Sequence, residues 1–286
     1  MSTPRAPVRD ADLTAYWNGP GGRRWTERGD APEAIFAPIA ELLYARARLA
    51  PGERVIDIGC GGGATTLAIA SQIGAAGRVV GVDVSALMIA RARKRADATS
   101  AATFVLADAG SHNFSPGWAN LLFSRFGVMF FADPVASFAN LRKGLARGGR
   151  VVFACWREAR LNPWQMIALK AACKHVPRLP QVGPEDPGPF SFADEARVRR
   201  ILAAAGFEKI ALTPVDLELD VATGQGLEAA LGALQQIGAA SRALEGQPEA
   251  LRAAAVAEIG AALAPHQRGR TVPLGAAIWI VEAANP

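Results

Sequence analysis

The chain has 286 residues, half of them hydrophobic, and 31 Lys and Arg against 26 Asp and Glu give a formal net charge of +5. That is ample for a large core in one domain with insertions, while no run reaches the roughly 20 apolar residues of a membrane span. Cys60, Cys155 and Cys173 have neither paired nor metal-type spacing and residues 1–5 lack an apolar secretion segment, which excludes a disulfide framework and points to reduced thiols in a cytoplasmic protein.

Residues 10–50 carry Tyr16, Trp17 and Trp25 among several glycines, followed by a helical stretch over 32–49. Aromatic rings and glycines ahead of the first strand suit either a mobile lid over a ligand pocket or a packed helix anchored by those rings. Residues 55–58 are β-branched around the acid Asp57 and read as a buried parallel strand. The strand breaks into Gly59-Cys60-Gly61-Gly62-Gly63, and helix formers resume over 64–71. Glycines at such a turn permit φ > 0 and clear away side chains, while the first N–H groups of the next helix point toward any ligand. A tight structural turn is the alternative.

Residues 77–84 read as a second strand ending in Asp83, twenty residues beyond Gly63. A carboxylate there can accept from both hydroxyls of a ribose, or cap the helix over 85–95. The basic run Arg91-Ala92-Arg93-Lys94-Arg95 on that helix reads as a solvated face. With no basic extension interleaved with aromatics, it argues against a nucleic-acid partner. A third strand over 103–108 again ends in an acid, Asp108, and His112 follows in a polar loop. Residues 121–124 and 150–155 read as the fourth and fifth strands, separated by a helix over 134–145 that closes on Arg147-Gly148-Gly149.

Beyond the fifth strand, residues 156–189 hold Trp164, Met166 and many prolines, with a rigid loop over 184–190. Residues 193–205 read as a helix ended by Gly206 and 209–221 as a strand. Residues 223–270 suit two helices broken near Gly246-Gln247-Pro248, and 275–281 form the final strand. Alternating strands and helices argue for a parallel sheet covered on both faces.

Four ordered stretches carry a resemblance: Asp57-Ile58-Gly59-Cys60-Gly61-Gly62-Gly63, Gly81-Val82-Asp83-Val84-Ser85, Leu106-Ala107-Asp108-Ala109, and Phe131-Ala132-Asp133-Pro134 through Gly148-Gly149-Arg150. Together they resemble the class I S-adenosylmethionine-dependent methyltransferases of small-molecule type, in the type 11/25 and ubiquinone-biosynthesis-like groups. The likeness is strong over residues 50–156 and holds in outline from 190 onward. It implies an α/β fold with a Rossmann-like doubly wound seven-stranded sheet, mostly parallel with an antiparallel last strand. A helical N-terminal lid and a helical insertion before the last strand would complete it. A single domain would then divide into a lid (1–50), a cofactor-binding core (51–156), a substrate-side loop segment (157–190), the last core helix and sixth strand (191–222), the helical insertion (223–270) and the seventh strand (271–286).

The implied cofactor is S-adenosyl-L-methionine. By resemblance, Asp57 would help order its ammonium group, and Gly59, Cys60 and Gly61 would line the methionine and ribose. Asp83 would hold the ribose hydroxyls, Val84 and Met88 would pack on the adenine, and Asp108 with Ala109 would read its edge. Ser124 or Arg125 would face the methionine end. A Met on an apolar helix face is as readily core, which stands as the other reading of Met88. His112 is the candidate general base, against the plainer reading of a loop histidine; Tyr16, a phenol of pKa about 10, is a poor base without help. Tyr16, Trp17 and Trp164 are candidate contacts to a small-molecule methyl acceptor, with no metal site implied. The lid, the insertion and the proline-rich loop would close an apolar pocket, or the inserted helices would form a homo-oligomer interface. Two other readings use the same motifs: a cofactor-binding regulatory module without methyl transfer, and a nicotinamide-dependent oxidoreductase, since Gly59 to Ala64 also satisfies G-x-G-x-x-A. Asp57 and Asp108 speak against the second.

Overall fold

The computed structural model describes residues 10–27, 29–97, 100–183 and 185–286. The expectations for residues 1–5, for the first nine residues of the lid and for Pro184 lie outside the described residues. The chain opens with helices α1 (Asp10–Asn18), α2 (Pro20–Glu27) and α3 (Ala31–Ala47). There follow β1 (Arg54–Ile58), α4 (Ala64–Ile73), β2 (Arg78–Asp83), α5 (Ala86–Arg95), β3 (Ala102–Leu106), β4 (Ala119–Arg125), α6 (Pro134–Gly144) and β5 (Leu145–Trp156). The second half adds α7 (Pro163–Ala172), α8 (Glu195–Ala204), β6 (Glu208–Asp220), α9 (Leu227–Gln236), α10 (Gly238–Ala243), α11 (Glu249–Leu263) and β7 (Pro273–Ala284). Among the described residues no helix is long and apolar enough to cross a membrane.

The seven strands form one sheet in the order β3-β2-β1-β4-β5-β7-β6. β1 to β5 pair in parallel, while β7 runs antiparallel to both β5 and β6. Strands buried on both faces need continuous apolar runs, and the middle strands have them: Val55, Ile56, Leu121, Leu122 and Phe123 are all 0% exposed. β6 lies at an edge and alternates exposed with half-buried positions. The switch in strand order between β1 and β4 leaves a crevice at their C-terminal ends, where open α/β sheets take their ligands.

Three local expectations change. Helix α6 stops at Gly144, before the Gly148-Gly149 pair. A side chain at Gly144 would meet Phe114 at 2.8 Å, whereas the later glycines hold the last strand: Gly148 N–H donates to Asn285 O, and Asn285 N–H donates to Gly149 O, both at 2.9 Å. The segment after β5 is partly helical, because Pro163 starts α7 at a position where proline's fixed φ suits a first turn. The inserted region holds three helices, since Gly238 at φ +81° breaks it a second time, before the break at Gly246.

The basic run on α5 is a solvated face, with Arg93, Lys94 and Arg95 exposed and Arg91 half-buried. Arg91 and Arg95 both pair with Asp30, at 2.8 and 3.4 Å, and Arg93 donates to Phe104 O at 2.8 Å. Asn18 fastens the N-terminal helices to the same region, donating to Val84 O at 2.7 Å and accepting from Ala86 N–H at 2.9 Å. These contacts dock α1 and α2 over the end of β2.

Candidate active site

A cavity of about 410 Å³ opens at the C-terminal ends of the parallel strands. Its floor is the glycine loop, whose conformation follows from a close crossing of two backbones. Gly59 has φ +66°, and a Cβ there would lie 2.7 Å from Gly127 Cα; a Cβ on Gly127 would lie 2.5 Å from Ile58 O. Ser124 supports the crossing, donating to Ile58 O at 2.8 Å and accepting from Gly127 N–H at 3.1 Å. Three of the loop's donors are spent: Gly59 and Cys60 N–H donate to Val82 O, and Gly61 N–H donates to Asp83 Oδ2 at 2.9 Å. The glycines therefore admit close approach without offering these N–H groups to a ligand.

Two carboxylates line the cavity at neighbouring strand tips. Asp83 accepts from Gly61 N–H through one oxygen and from Ser85 N–H at 2.8 Å through the other. Burial raises its pKa against the pull of those backbone bonds, so further donors would favour its charged form. Asp108 accepts from Gly110 N–H at 2.8 Å and from Ser111 Oγ–H at 2.9 Å. Val84, Met88 and Ala109 line the space beside these acids. Met88 is at once core and wall, being 9% exposed and accepting at Sδ from Thr26 Oγ–H at 3.4 Å. The Cys60 thiol is held protonated, pushed up by burial and then by the Asp83 and Asp57 carboxylates.

Asp57 does not line the cavity. It is fully buried, and its Oδ2 accepts from Thr65 Oγ–H at 2.7 Å and Thr66 Oγ–H at 2.6 Å while Oδ1 has no partner. It thus ties β1 to the first turn of α4. Burial pushes its pKa up to about 6 from an ordinary 3.8, with the threonines and Arg125 pulling the other way. Because the folded value is the higher one, the unfolded chain releases this proton first, and stability falls as pH rises through that window. The two-unit gap corresponds to about 3 kcal/mol. Asp57→Asn should therefore gain about 3 kcal/mol relative to wild type between about pH 4 and pH 7, measured by urea unfolding. A pH-independent difference would show that Asp57 ionises normally.

Ser124 likewise stands behind the wall, 0% exposed, while its neighbour Arg125 lines the cavity in an ion pair with Glu33 of α3. His112 is outside the cavity. The turn after β3 brings its N–H to Asp108 O at 2.8 Å, and its ring packs edge-on against Phe114 at 4.7 Å. It has no position from which to serve as a base in this cavity.

The remaining wall is aromatic. Tyr16, Trp17 and Trp164 all line it, together with rings that the sequence reading did not single out. Phe126 stacks on Trp156 at 4.1 Å with a 10° interplanar angle, Trp156 meets Trp164 at 5.0 Å, and Phe36 meets Trp164 at 5.4 Å. Trp17 packs edge-on to Phe130 at 5.2 Å. Phe126 has φ +70°, a strained conformation for a bulky residue, of the kind that gathers at ligand sites. Its place directly after the fourth strand was the one sequence signal available for it. At the far end, α7 and α10 bring Gln165, Ser241 and Arg242 to the wall.

A methyltransferase-domain family profile matches residues 55–149, from β1 to the glycines of β5. The aklanonic acid methyltransferase DauC of Streptomyces sp. (strain C5) is 33% identical over 121 residues, 42% of this chain and 55% of that protein, so the chain spans about half the length of that relative. A trans-aconitate 2-methyltransferase of Paracidovorax citrulli is 30% identical over 207 residues, covering 72% of this chain and 70% of the relative. The chain belongs to the class I S-adenosylmethionine-dependent methyltransferases. The fold of this methyltransferase also matches phosphoethanolamine N-methyltransferase 2 of Haemonchus contortus, solved with S-adenosyl-L-methionine, at TM-score 0.58 and 18% identity, covering 99% of this chain and 61% of that one. The acceptors along the cavity suit the cofactor of this family. Asp83 and Asp108 are acceptor-only groups suited to ribose hydroxyls and an adenine amine, with apolar side chains between them.

Proposed function

We propose that this methyltransferase transfers a methyl group from S-adenosylmethionine to a small organic acceptor with a largely apolar body. The observation that carries the reading is the continuity of one cavity, from Asp83 and Asp108 to the Phe126-Trp156-Trp164 wall. Its size lies in the range of small-molecule sites. In this reading Asp83 holds the ribose hydroxyls and Asp108 with Ala109 meets the adenine edge. Gly59, Cys60 and Gly61 pass close along the ligand, and Val84 and Met88 cover the base. Arg125 stands at the methionine end, while Tyr16, Trp17 and Trp164 contact the acceptor. Asp57 and Ser124 act from behind, by fixing the loop.

When bound, S-adenosylmethionine supplies an activated methyl on a sulfonium whose departure leaves a neutral thioether. The protein's part is then to align the acceptor and exclude water, which in favourable cases is worth effective molarities of 10⁵ M or more. The wall offers no histidine, and Glu33 is committed to Arg125, so the arrangement suits an acceptor that arrives ionised or as a neutral nucleophile. Helices α1 and α2, held by Asn18 over the end of β2, cover one side of the pocket.

The test is incubation with methyl-labelled S-adenosylmethionine and varied metabolite extracts. A labelled small-molecule product is expected. Cofactor binding without labelled product across the extracts would reject methyl transfer and favour a regulatory module.

A further inference from the structure

Resting on that reading, we infer that the α7–α10 end of the cavity is a carboxylate-binding subsite, so that the acceptor is an organic acid anchored there by its carboxylate. Two observations meet at this end. Gln165, on the first turn of α7, is 3% exposed and lines the cavity, and its side-chain amide has no hydrogen-bond partner among the described residues. An amide at a cavity wall with no protein partner is left to bind water or a ligand. Facing it is α10: a Cβ on Gly238 would lie 3.7 Å from Gln165 Cγ and 3.8 Å from its Oε1. Arg242 follows Gly238 by four residues, one helical turn along the same face, and also lines the cavity.

The charges around the wall decide the sign of the ligand group. Asp83 and Asp108 lie at the strand tips, and Glu33 and Arg125 neutralise each other. Among the described lining residues, Arg242 is the one cation without an ion-pair partner. A guanidinium and an amide N–H₂ together offer donors to a planar carboxylate. Ser241 donates its hydroxyl to Gly238 O at 2.9 Å, so its hydrogen is not offered to the ligand and the donors at this end are those of Gln165 and Arg242. The aromatic wall, which adjoins this end through Trp164 beside Gly238, then takes the acid's apolar body.

The probes are benzoate, cinnamate and 2-naphthoate, each paired with its primary amide of the same shape. Binding to protein loaded with S-adenosylhomocysteine is followed by tryptophan fluorescence, with calorimetric binding of S-adenosylhomocysteine as control in every variant. At least one acid should bind about tenfold or more tightly than its amide. Arg242→Ala should erase that preference, Arg242→Lys should keep part of it, and Gln165→Leu should weaken the acid more than the amide. Equal binding of every acid and amide, binding of none of them, or a preference that survives Arg242→Ala would overturn the subsite. If S-adenosylhomocysteine itself fails to bind, the cofactor reading fails and this inference falls with it; if it binds while acids gain nothing over amides, only the subsite is lost.

Discussion

Asp83→Ala weakens S-adenosylmethionine binding by roughly 100- to 1000-fold, as read by calorimetry. Two hydrogen bonds from ribose hydroxyls to a carboxylate in a poorly solvated site contribute about 1.5 to 3 kcal/mol each, and about 3 to 4 kcal/mol is already a factor in that range. The substitution also removes the acceptor for Gly61 N–H and Ser85 N–H, so part of the loss comes from a loosened glycine loop. Asp83→Asn separates the two contributions. It keeps the shape and one acceptor, and its affinity should fall between wild type and the alanine variant. Unchanged affinity in a folded Asp83→Ala protein would remove the ribose assignment.

Gly127→Ala destabilises the fold by about 3 kcal/mol in urea unfolding and lowers cofactor affinity with it. The added methyl would sit 2.5 Å from Ile58 O and 2.8 Å from Gly59 Cα. Both are backbone atoms at the crossing of two loops, so relief requires the glycine turn itself to move. Gly127 has φ −73°, so the effect is steric and owes nothing to a left-handed conformation. The same substitution at Gly232 in α9, where a Cβ meets nothing within 4 Å, should instead stabilise by about 0.5 to 1 kcal/mol. Similar effects at the two sites would show that the loop crossing yields freely.

Much of the sheet was legible because its signals are local. A strand followed by a helix recurs at β1 and β2, and the acids Asp57, Asp83 and Asp108 fall within two residues of the ends of β1, β2 and β3. The antiparallel seventh strand came from the resemblance, and the pairing of β7 with β5 and β6 bears it out. Legibility failed where a residue's work depends on a distant partner. Asp57 looked like a ligand group from its spacing, yet its carboxylate turns to Thr65 and Thr66 eight and nine residues on. His112 looked close to the strand tips in sequence, but a turn at Asp108 and the ring of Phe114 carry it away.

The sequence by itself determined the order of the seven strands along the chain, the acids near the strand ends and the glycine turn, because hydrophobic period and turn chemistry act over a few residues. Only the tertiary structure decided what the turn is for. Gly59 is required because Gly127, 68 positions later, passes within contact of it, a fact no local pattern encodes. The acceptor wall was decided in the same way. Phe36, Phe126, Trp156, Gln165 and Arg242 come from five separate segments, and packing, which depends on shape rather than period, is what brings them to one cavity.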